Sequence, residues 1–146
     1  MHKQLQIELR YLITIHLIEL MYKQPDWSML QNKDVVAKLF HISDHYGLVN
    51  KLNPQSIVLL QGPIGAGKTS FVQGIANGLC IKEDITSPTF SLSHHYNSGK
   101  IPLIHLDLYR LENISSAKEV FFSEEEEALQ NHAILVIEWP ELIEPF

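Results

Sequence analysis

Cysteine and basic side chains are both scarce in this chain. Only one of its 146 residues is a cysteine, Cys80, which excludes an internal disulfide framework and a zinc site built from cysteines. The sequence has 11 Lys and Arg against 17 Asp and Glu, a net charge of −6. This balance argues against a protein that binds nucleic acid by charge alone, since Lys and Arg supply most non-specific affinity for phosphates. A single thiol favours a cytoplasmic location.

A long apolar run is also lacking. The most apolar early segment, 11–21, contains His16 and Glu19, whereas a spanning helix needs about 20 apolar residues. Lys23 and Pro25 follow it, in place of the small-residue cleavage site of a signal peptide. We therefore expect neither a membrane segment nor a secretory leader.

Apolar residues recur at helical spacing in three segments. These helices are predicted at 4–23, 33–46 and 68–79. Two short acidic helices are predicted further on, because Ser116 with Glu119, and Ser123 with Glu126, fit the capping box.

Short apolar runs indicate the strands. Ile57–Leu60 and Ala133–Ile137 are continuous runs, typical of strands buried on both faces of a parallel sheet. Segment 90–96 alternates apolar with polar residues, and 101–108 is a further strand. The intervening turn at 97–100 predicts a hairpin.

A glycine-rich segment directly follows the strand at 57–60. It reads GPIGAGKT and matches the P-loop pattern G-x-x-x-x-G-K-[ST] in full. Its backbone N–H groups and the following helix N-terminus suit phosphate oxygens, Lys68 reaches the β- and γ-phosphates, and the Thr69 hydroxyl ligates Mg²⁺. The residues predicted to bind the phosphates of a nucleotide cofactor are Gly62, Ile64, Gly65, Ala66, Gly67, Lys68, Thr69 and Ser70. The predicted fold is an α/β P-loop NTPase three-layer sandwich with a mostly parallel central sheet.

Two acidic residues end apolar strands and are candidate partners of the metal. Glu138 follows the strand at 133–137, and Asp107 follows Ile104-His105-Leu106. One of them would hold Mg²⁺ through water while the other orients the attacking water. The residues alone leave open which does which.

The remaining polar and aromatic residues carry only weak functional signals. Ser87-Pro88-Thr89 lies where P-loop proteins often sense the γ-phosphate, but an ordinary turn explains it as well. His94, His95 and His105 are interpreted as structural, since adjacent strand residues point to opposite faces. Trp139 packs either near the nucleotide or in the core.

Four segments occur together in a fixed order: GPIGAGKTSFVQGIANGL at 62–79, TSPTFSL at 86–92, HLDLYRL at 105–111 and IEWPE at 137–141. Together they resemble the bacterial TsaE (YjeE) family, the P-loop ATPases of tRNA threonylcarbamoyladenosine biosynthesis. Many families share a P-loop, so the ordered set of four is the specific signal. The resemblance covers about 33–141.

The resemblance implies an ATPase that works with two partner proteins, TsaB and TsaD, which attach threonylcarbamoyl to an adenosine beside the tRNA anticodon. The ATPase would meet tRNA only through that complex, which agrees with the negative net charge. Carried over by motif, Lys68 holds phosphates, Thr69 and Glu138 bind Mg²⁺, and Asp107 is needed for hydrolysis. The implied catalytic residues are therefore Lys68, Asp107 and Glu138.

The sequence departs from the family pattern at both ends. Sixty-one residues precede Gly62, so 1–28 is interpreted as an additional N-terminal helix and 29–146 as the P-loop ATPase domain. Only eight residues follow Glu138, so we expect the family's C-terminal strands to be missing. Leu142 stands where the family usually has an arginine.

Two other functions remain as alternatives. A small P-loop kinase would need an arginine-bearing lid, and Arg110 is the only arginine after Arg10. A truncated, inactive interaction module is favoured by the short C-terminus and disfavoured by the intact loop with its two acids.

Overall fold

A five-stranded sheet organises the computed structural model, which describes residues 12–16 and 48–143. The strands are β1 (Leu12–His16), β2 (Ile57–Gln61), β3 (Ser93–Tyr96), β4 (Leu103–Asp107) and β5 (Ile134–Glu138). Their order is β1-β2-β5-β4-β3, and only β3 runs antiparallel to its neighbour. The predicted mostly parallel sheet is therefore confirmed.

Three α-helices accompany the sheet within the described residues: α1 (Leu48–Lys51), α2 (Lys68–Gly78) and α3 (Ile114–Gln130), and a 3₁₀ turn follows at Pro140–Leu142. Helix α1 lies against the end of α2, where a Cβ on Gly78 would come 2.6 Å from Val49 Cγ2, so glycine permits this approach. No helix in the described part of the chain is long and apolar enough to span a bilayer.

The buried strands supply apolar side chains to both faces of the sheet, as a parallel sheet covered on two sides requires. Along β2, Val58 and Leu60 join a buried cluster with Phe71 on the α2 side. Ile57 and Leu59 join a second cluster on the α3 side. Two cores separated by one sheet make the predicted three-layer arrangement.

The parallel strands bring their carboxyl ends to one edge of the sheet. In the register, Leu60 of β2 pairs with Glu138 of β5, and Asp107 of β4 pairs with Glu138 from the other side. The glycine-rich loop leaves β2 at this same edge. Ligands of open α/β sheets bind at the carboxyl ends of the strands, so this edge is where the candidate site is sought.

The helix predicted at 4–23 is wrong for Leu12–His16, which form strand β1 and pair in parallel with β2. The β-branched residues Ile13, Thr14 and Ile15 favour a strand, and pairing with a sheet edge outweighs the helical spacing. The remainder of 1–28, its boundary with 29–146 and the helix predicted at 33–46 lie outside the described residues.

The predicted strand at 90–96 begins three residues later, at Ser93. Leu92 has a φ of 66°, in the left-handed region, and its N–H donates to Pro88 O, which closes a turn instead of extending the strand. The predicted hairpin with β4 is confirmed by the antiparallel pairing from Ser93 with Leu106 to Tyr96 with Leu103.

The two predicted acidic helices are one helix, α3. Its N-cap is Asn113, whose side chain accepts a hydrogen bond from Ser116 N (2.8 Å), so neither predicted capping box starts a helix. Ala117, Phe121 and Ala128 form a continuous buried stripe against the sheet. That stripe carries the helix through the position where Ser123 was expected to begin a new one.

Candidate active site

The glycine-rich loop of residues 62–67 connects β2 to α2. Gly65 and Gly67 have φ values of 80° and 90°, a region that side chains other than glycine rarely adopt. A Cβ added at Gly65 would meet no atom within 4 Å. Backbone conformation therefore requires glycine here, and the loop has open space beside it of the kind that a phosphate group needs.

Lys68 is the first residue of α2, and its side chain turns back over the loop. The ammonium donates hydrogen bonds to Gly62 O (2.6 Å) and Pro63 O (2.9 Å). It also lies 3.8 Å from the centroid of the Trp139 ring, a cation–π contact. The residue is only 5% exposed, so the charge sits directly at the loop with protein around it.

Burial lowers the pKa of Lys68 from its ordinary value of 10.5, and the carboxylates of Glu138, Glu141 and Asp107 partly offset this effect. Desolvation disfavours the charged ammonium, whereas nearby negative charges favour it. An anion placed at the loop would favour the charged form further.

Glu138, the last residue of β5, is 3% exposed and contacts one side chain on α2 and one on β4. Thr69 Oγ1 on α2 donates to Glu138 Oε1 at 2.9 Å, and His105 Nε2 on β4 lies 2.8 Å from the same oxygen. The two predicted magnesium ligands are thus in direct contact. Sequence reasoning missed His105, because only the register of β4 with β5 brings the two side chains together.

Asp107, the last residue of β4, is also 3% exposed and is held through both carboxylate oxygens. Oδ2 accepts hydrogen bonds from Thr89 Oγ1 (2.9 Å) and Ser87 Oγ (3.3 Å), and Oδ1 accepts from Tyr109 N (2.9 Å). The Ser-Pro-Thr segment that reads as an ordinary turn therefore fixes the second acid of the site. Its position before β3 was the one available signal.

Aromatic residues lie beside the loop. Trp139 has a φ of 58°, a left-handed conformation that is uncommon for a tryptophan. The centroid of its ring lies 4.9 Å from the centroid of the Tyr109 ring. The Lys68 ammonium lies over the Trp139 ring. Trp139 is therefore placed at the loop rather than in the core, which answers the question that the sequence left open.

Arg110 lies with its guanidinium 4.1 Å from the centroid of the Phe90 ring, and Phe90 is 86% exposed. Phe90 directly follows Thr89, which contacts Asp107. No signal in the sequence pairs these two residues.

The donor set suits magnesium and phosphate. The Thr69 hydroxyl and the Glu138 carboxylate are hard oxygen donors, which Mg²⁺ prefers, and Asp107 adds a second carboxylate at the same edge of the sheet. In the described part of the chain, no three or more His, Cys, Asp or Glu side chains converge to hold a metal by themselves. Such a set suits an Mg²⁺ ion that takes a few ligands from protein oxygens and the rest from water and phosphates.

This chain resembles known proteins in both sequence and structure. The chain is 45% identical over 105 residues to the tRNA threonylcarbamoyladenosine biosynthesis protein TsaE of Synechocystis sp., which covers 68% of this chain and 64% of that protein. It is 38% identical over 91 residues to the protein of the same name from Bacillus subtilis, covering 62% and 54% of the two chains. The crystal structure of Bacillus subtilis YdiB is similar, with a TM-score of 0.51 and 28% identity, over 80% of this chain and 64% of that one.

The chain thus spans less than two-thirds of the length of these two relatives. The family model described as threonylcarbamoyl adenosine biosynthesis protein TsaE matches residues 36–146, which is most of the chain. The chain belongs to the TsaE family.

Proposed function

We propose that this chain binds Mg-ATP and hydrolyses it slowly, in support of the machinery that makes threonylcarbamoyladenosine in tRNA. One observation carries the proposal: a phosphate-type loop, a hydroxyl and two carboxylates lie together at the carboxyl ends of β2, β4 and β5. Each of these groups has a task in phosphoryl chemistry.

Phosphate binding falls to the loop and to Lys68. The ammonium now donates to two backbone carbonyl groups. Exchanging those carbonyls for phosphate oxygens replaces neutral acceptors by charged ones, which make stronger hydrogen bonds. The N-terminus of α2, an 11-residue helix, adds positive potential at the same place.

Thr69 and Glu138 would hold Mg²⁺, which when bound neutralises negative charge on the phosphates. Both hydrogen bonds described at Glu138 go to Oε1. That arrangement leaves Oε2 as the oxygen through which Glu138 would contact the metal or a water bound to it.

Asp107 would orient the attacking water by accepting its hydrogen bond. Three donors fix the carboxylate, two hydroxyls on Oδ2 and one backbone N–H on Oδ1. A fixed acceptor contributes to rate because it holds the water in a reactive geometry.

We expect slow ATP hydrolysis by the chain alone because of where Arg110 lies. An arginine that stabilises the transferring phosphoryl group is worth about 10³- to 10⁵-fold in rate. The one arginine among the described residues, Arg110, lies over the ring of Phe90. A partner that repositions Arg110, or supplies its own cation, would raise the rate.

We propose TsaB- and TsaD-like proteins as those partners, with tRNA reached only through them, in the cytoplasm. The membership of the family and the net charge of −6 support this assignment.

The test is steady-state ATP hydrolysis by the full chain, alone and with purified TsaB and TsaD, with Lys68→Ala as the matched control. We expect low turnover alone, an increase with the partners, and loss of both in the variant. Equal phosphate release by the wild type and by Lys68→Ala would refute the proposal.

A further inference from the structure

His105 is a fully buried histidine whose two ring nitrogens have different surroundings. It lies on β4, two residues before Asp107, and is 0% exposed. Nε2 lies 2.8 Å from Glu138 Oε1. Nδ1 is buried and has no hydrogen-bond partner in the described part of the protein.

The proton positions follow from the chemistry of the pair. A carboxylate only accepts hydrogen bonds, so Nε2 carries the hydrogen that points at Glu138. Nδ1, with or without a hydrogen, is then a buried polar atom without a partner, and such a group lowers stability. An apolar side chain of similar size would avoid that loss, so packing alone gives no reason for a histidine at this position.

The contact with Glu138 provides a reason. Oε1 of Glu138 receives one donor from Thr69 on α2 and a second from His105 on β4. A glutamate side chain rotates about three bonds, and two donors from separate elements restrict it to one orientation. Groups that hydrogen-bond a metal-binding side chain set its orientation and thereby the affinity of the site.

We propose that His105 is a positioning residue that holds Glu138 in the orientation in which it serves Mg²⁺. This inference rests on the proposed function, since it assigns His105 a role toward the same magnesium site. His105 acts on the site only through Glu138.

The chain contains a matched control pair outside the site. His95 Nε2 lies 2.7 Å from Glu124 Oε2, so the two histidine–glutamate contacts have nearly the same length. The His95 and Glu124 side chains are 38% and 16% exposed, against 0% and 4% for His105 and Glu138. Exposed pairs of this kind contribute little.

The experiment measures ADP affinity of the full chain against Mg²⁺ concentration, with unfolding curves for every variant. His105→Gln places an amide N–H close to where Nε2 lies, whereas the shorter His105→Asn places it near Nδ1, out of reach of Glu138. His105→Phe removes the donor, and His95→Phe is the control.

We expect the Mg²⁺ concentration that gives half-maximal enhancement of ADP affinity to rise about 10- to 100-fold in His105→Phe and His105→Asn. His105→Gln should recover most of the wild-type value, and His95→Phe should match the wild type. ADP affinity without Mg²⁺ should stay unchanged in all variants.

Several results would overturn the inference. One is a wild-type Mg²⁺ dependence in His105→Phe or His105→Asn, and another is an equal defect in the Gln and Asn variants. Failure of all three His105 variants to fold would assign the side chain to the core instead. A folded wild type that binds no ADP at any Mg²⁺ concentration would refute the proposed function itself, and this inference with it.

Discussion

Replacing Glu138 by glutamine separates metal binding from folding. The carboxylate is 3% exposed, and its Oε1 accepts hydrogen bonds from Thr69 and His105 at 2.9 and 2.8 Å. A glutamine with its carbonyl oxygen in that place keeps both donors satisfied. Its NH₂ group then takes the place of Oε2, which exchanges an acceptor for a donor.

The cost to folding should be small. Hydrogen bonds to charged groups contribute about 1.5–3 kcal/mol and neutral ones about 0.5–1.5, so weakening two bonds costs roughly 2 kcal/mol. Removing a buried negative charge offsets part of that loss, because burial of a carboxylate is itself unfavourable. The free energy of unfolding should therefore change by no more than about 2 kcal/mol.

The affinity for Mg²⁺ should fall strongly. An amide is a poorer ligand than a carboxylate for a hard cation. Even changes to groups that only support a ligand cost about 10- to 100-fold in metal affinity, so loss of the carboxylate should cost at least that. The assay titrates Mg²⁺ at fixed ADP, which is not hydrolysed, and follows binding by calorimetry.

Asp107→Asn is the comparison variant for Glu138→Gln. The asparagine should leave the Mg²⁺ titration nearly unchanged but reduce ATP hydrolysis by about 100-fold or more, as expected when a group that orients the attacking water is lost. If the two variants shift the Mg²⁺ titration equally, the division of roles between the two acids is wrong.

Four further predictions concern the charge of Lys68, the sheet and the core. ATP affinity should fall with rising pH at values below 10.5, because burial lowers the pKa of Lys68 and a neutral amine attracts phosphate poorly; binding titrations across pH, with Lys68→Ala as control, measure this. In the same pH window the free energy of unfolding of the nucleotide-free chain should rise with pH, since the unfolded state holds the Lys68 proton more tightly than the folded one. Deleting 1–28 removes strand β1 (Leu12–His16) and should lower the free energy of unfolding by at least about 2 kcal/mol, from several lost ladder hydrogen bonds at about 0.5–1.5 each; unchanged urea unfolding would contradict this. Phe121→Ala should cost about 3–5 kcal/mol, because the ring is 3% exposed, whereas Phe122→Ala, 39% exposed, should cost about 1 kcal/mol or less in the same assay.

Local sequence predicted the central part of the fold well. The run Ile57–Leu60, the glycine-rich loop and the start of α2 at Lys68 all occur as expected. Each is specified by neighbouring residues: apolar side chains for a strand buried on both faces, glycines for left-handed backbone, and amphipathic spacing for the helix. These features need no information from distant parts of the chain.

Prediction from the sequence failed where contacts with distant residues determine the secondary structure. Leu12–His16 fit a helical pattern as well as a strand, and pairing with β2 selects the strand. Ser123 resembles a helix start, but it lies inside α3 because the stripe on both sides of it is buried against the sheet.

The candidate site shows the same division. The motif alone indicated Lys68 and Thr69, but the supporting contacts depend on which strands are neighbours. His105 meets Glu138 only because β4 lies beside β5, and Thr89 meets Asp107 only because the turn closes before β3. Local sequence patterns do not reveal that register.

The central claim is that the loop and Lys68 bind the phosphates of Mg-ATP. The most direct measurement is calorimetric titration of the full chain with ATP and Mg²⁺, for the wild type and Lys68→Ala, beside unfolding curves for both. We predict Mg²⁺-dependent binding by the wild type and a loss of about 2 kcal/mol or more, roughly 30-fold in affinity, in a variant that still folds. Equal ATP affinity in the two folded proteins, or no binding by the wild type, would contradict the claim.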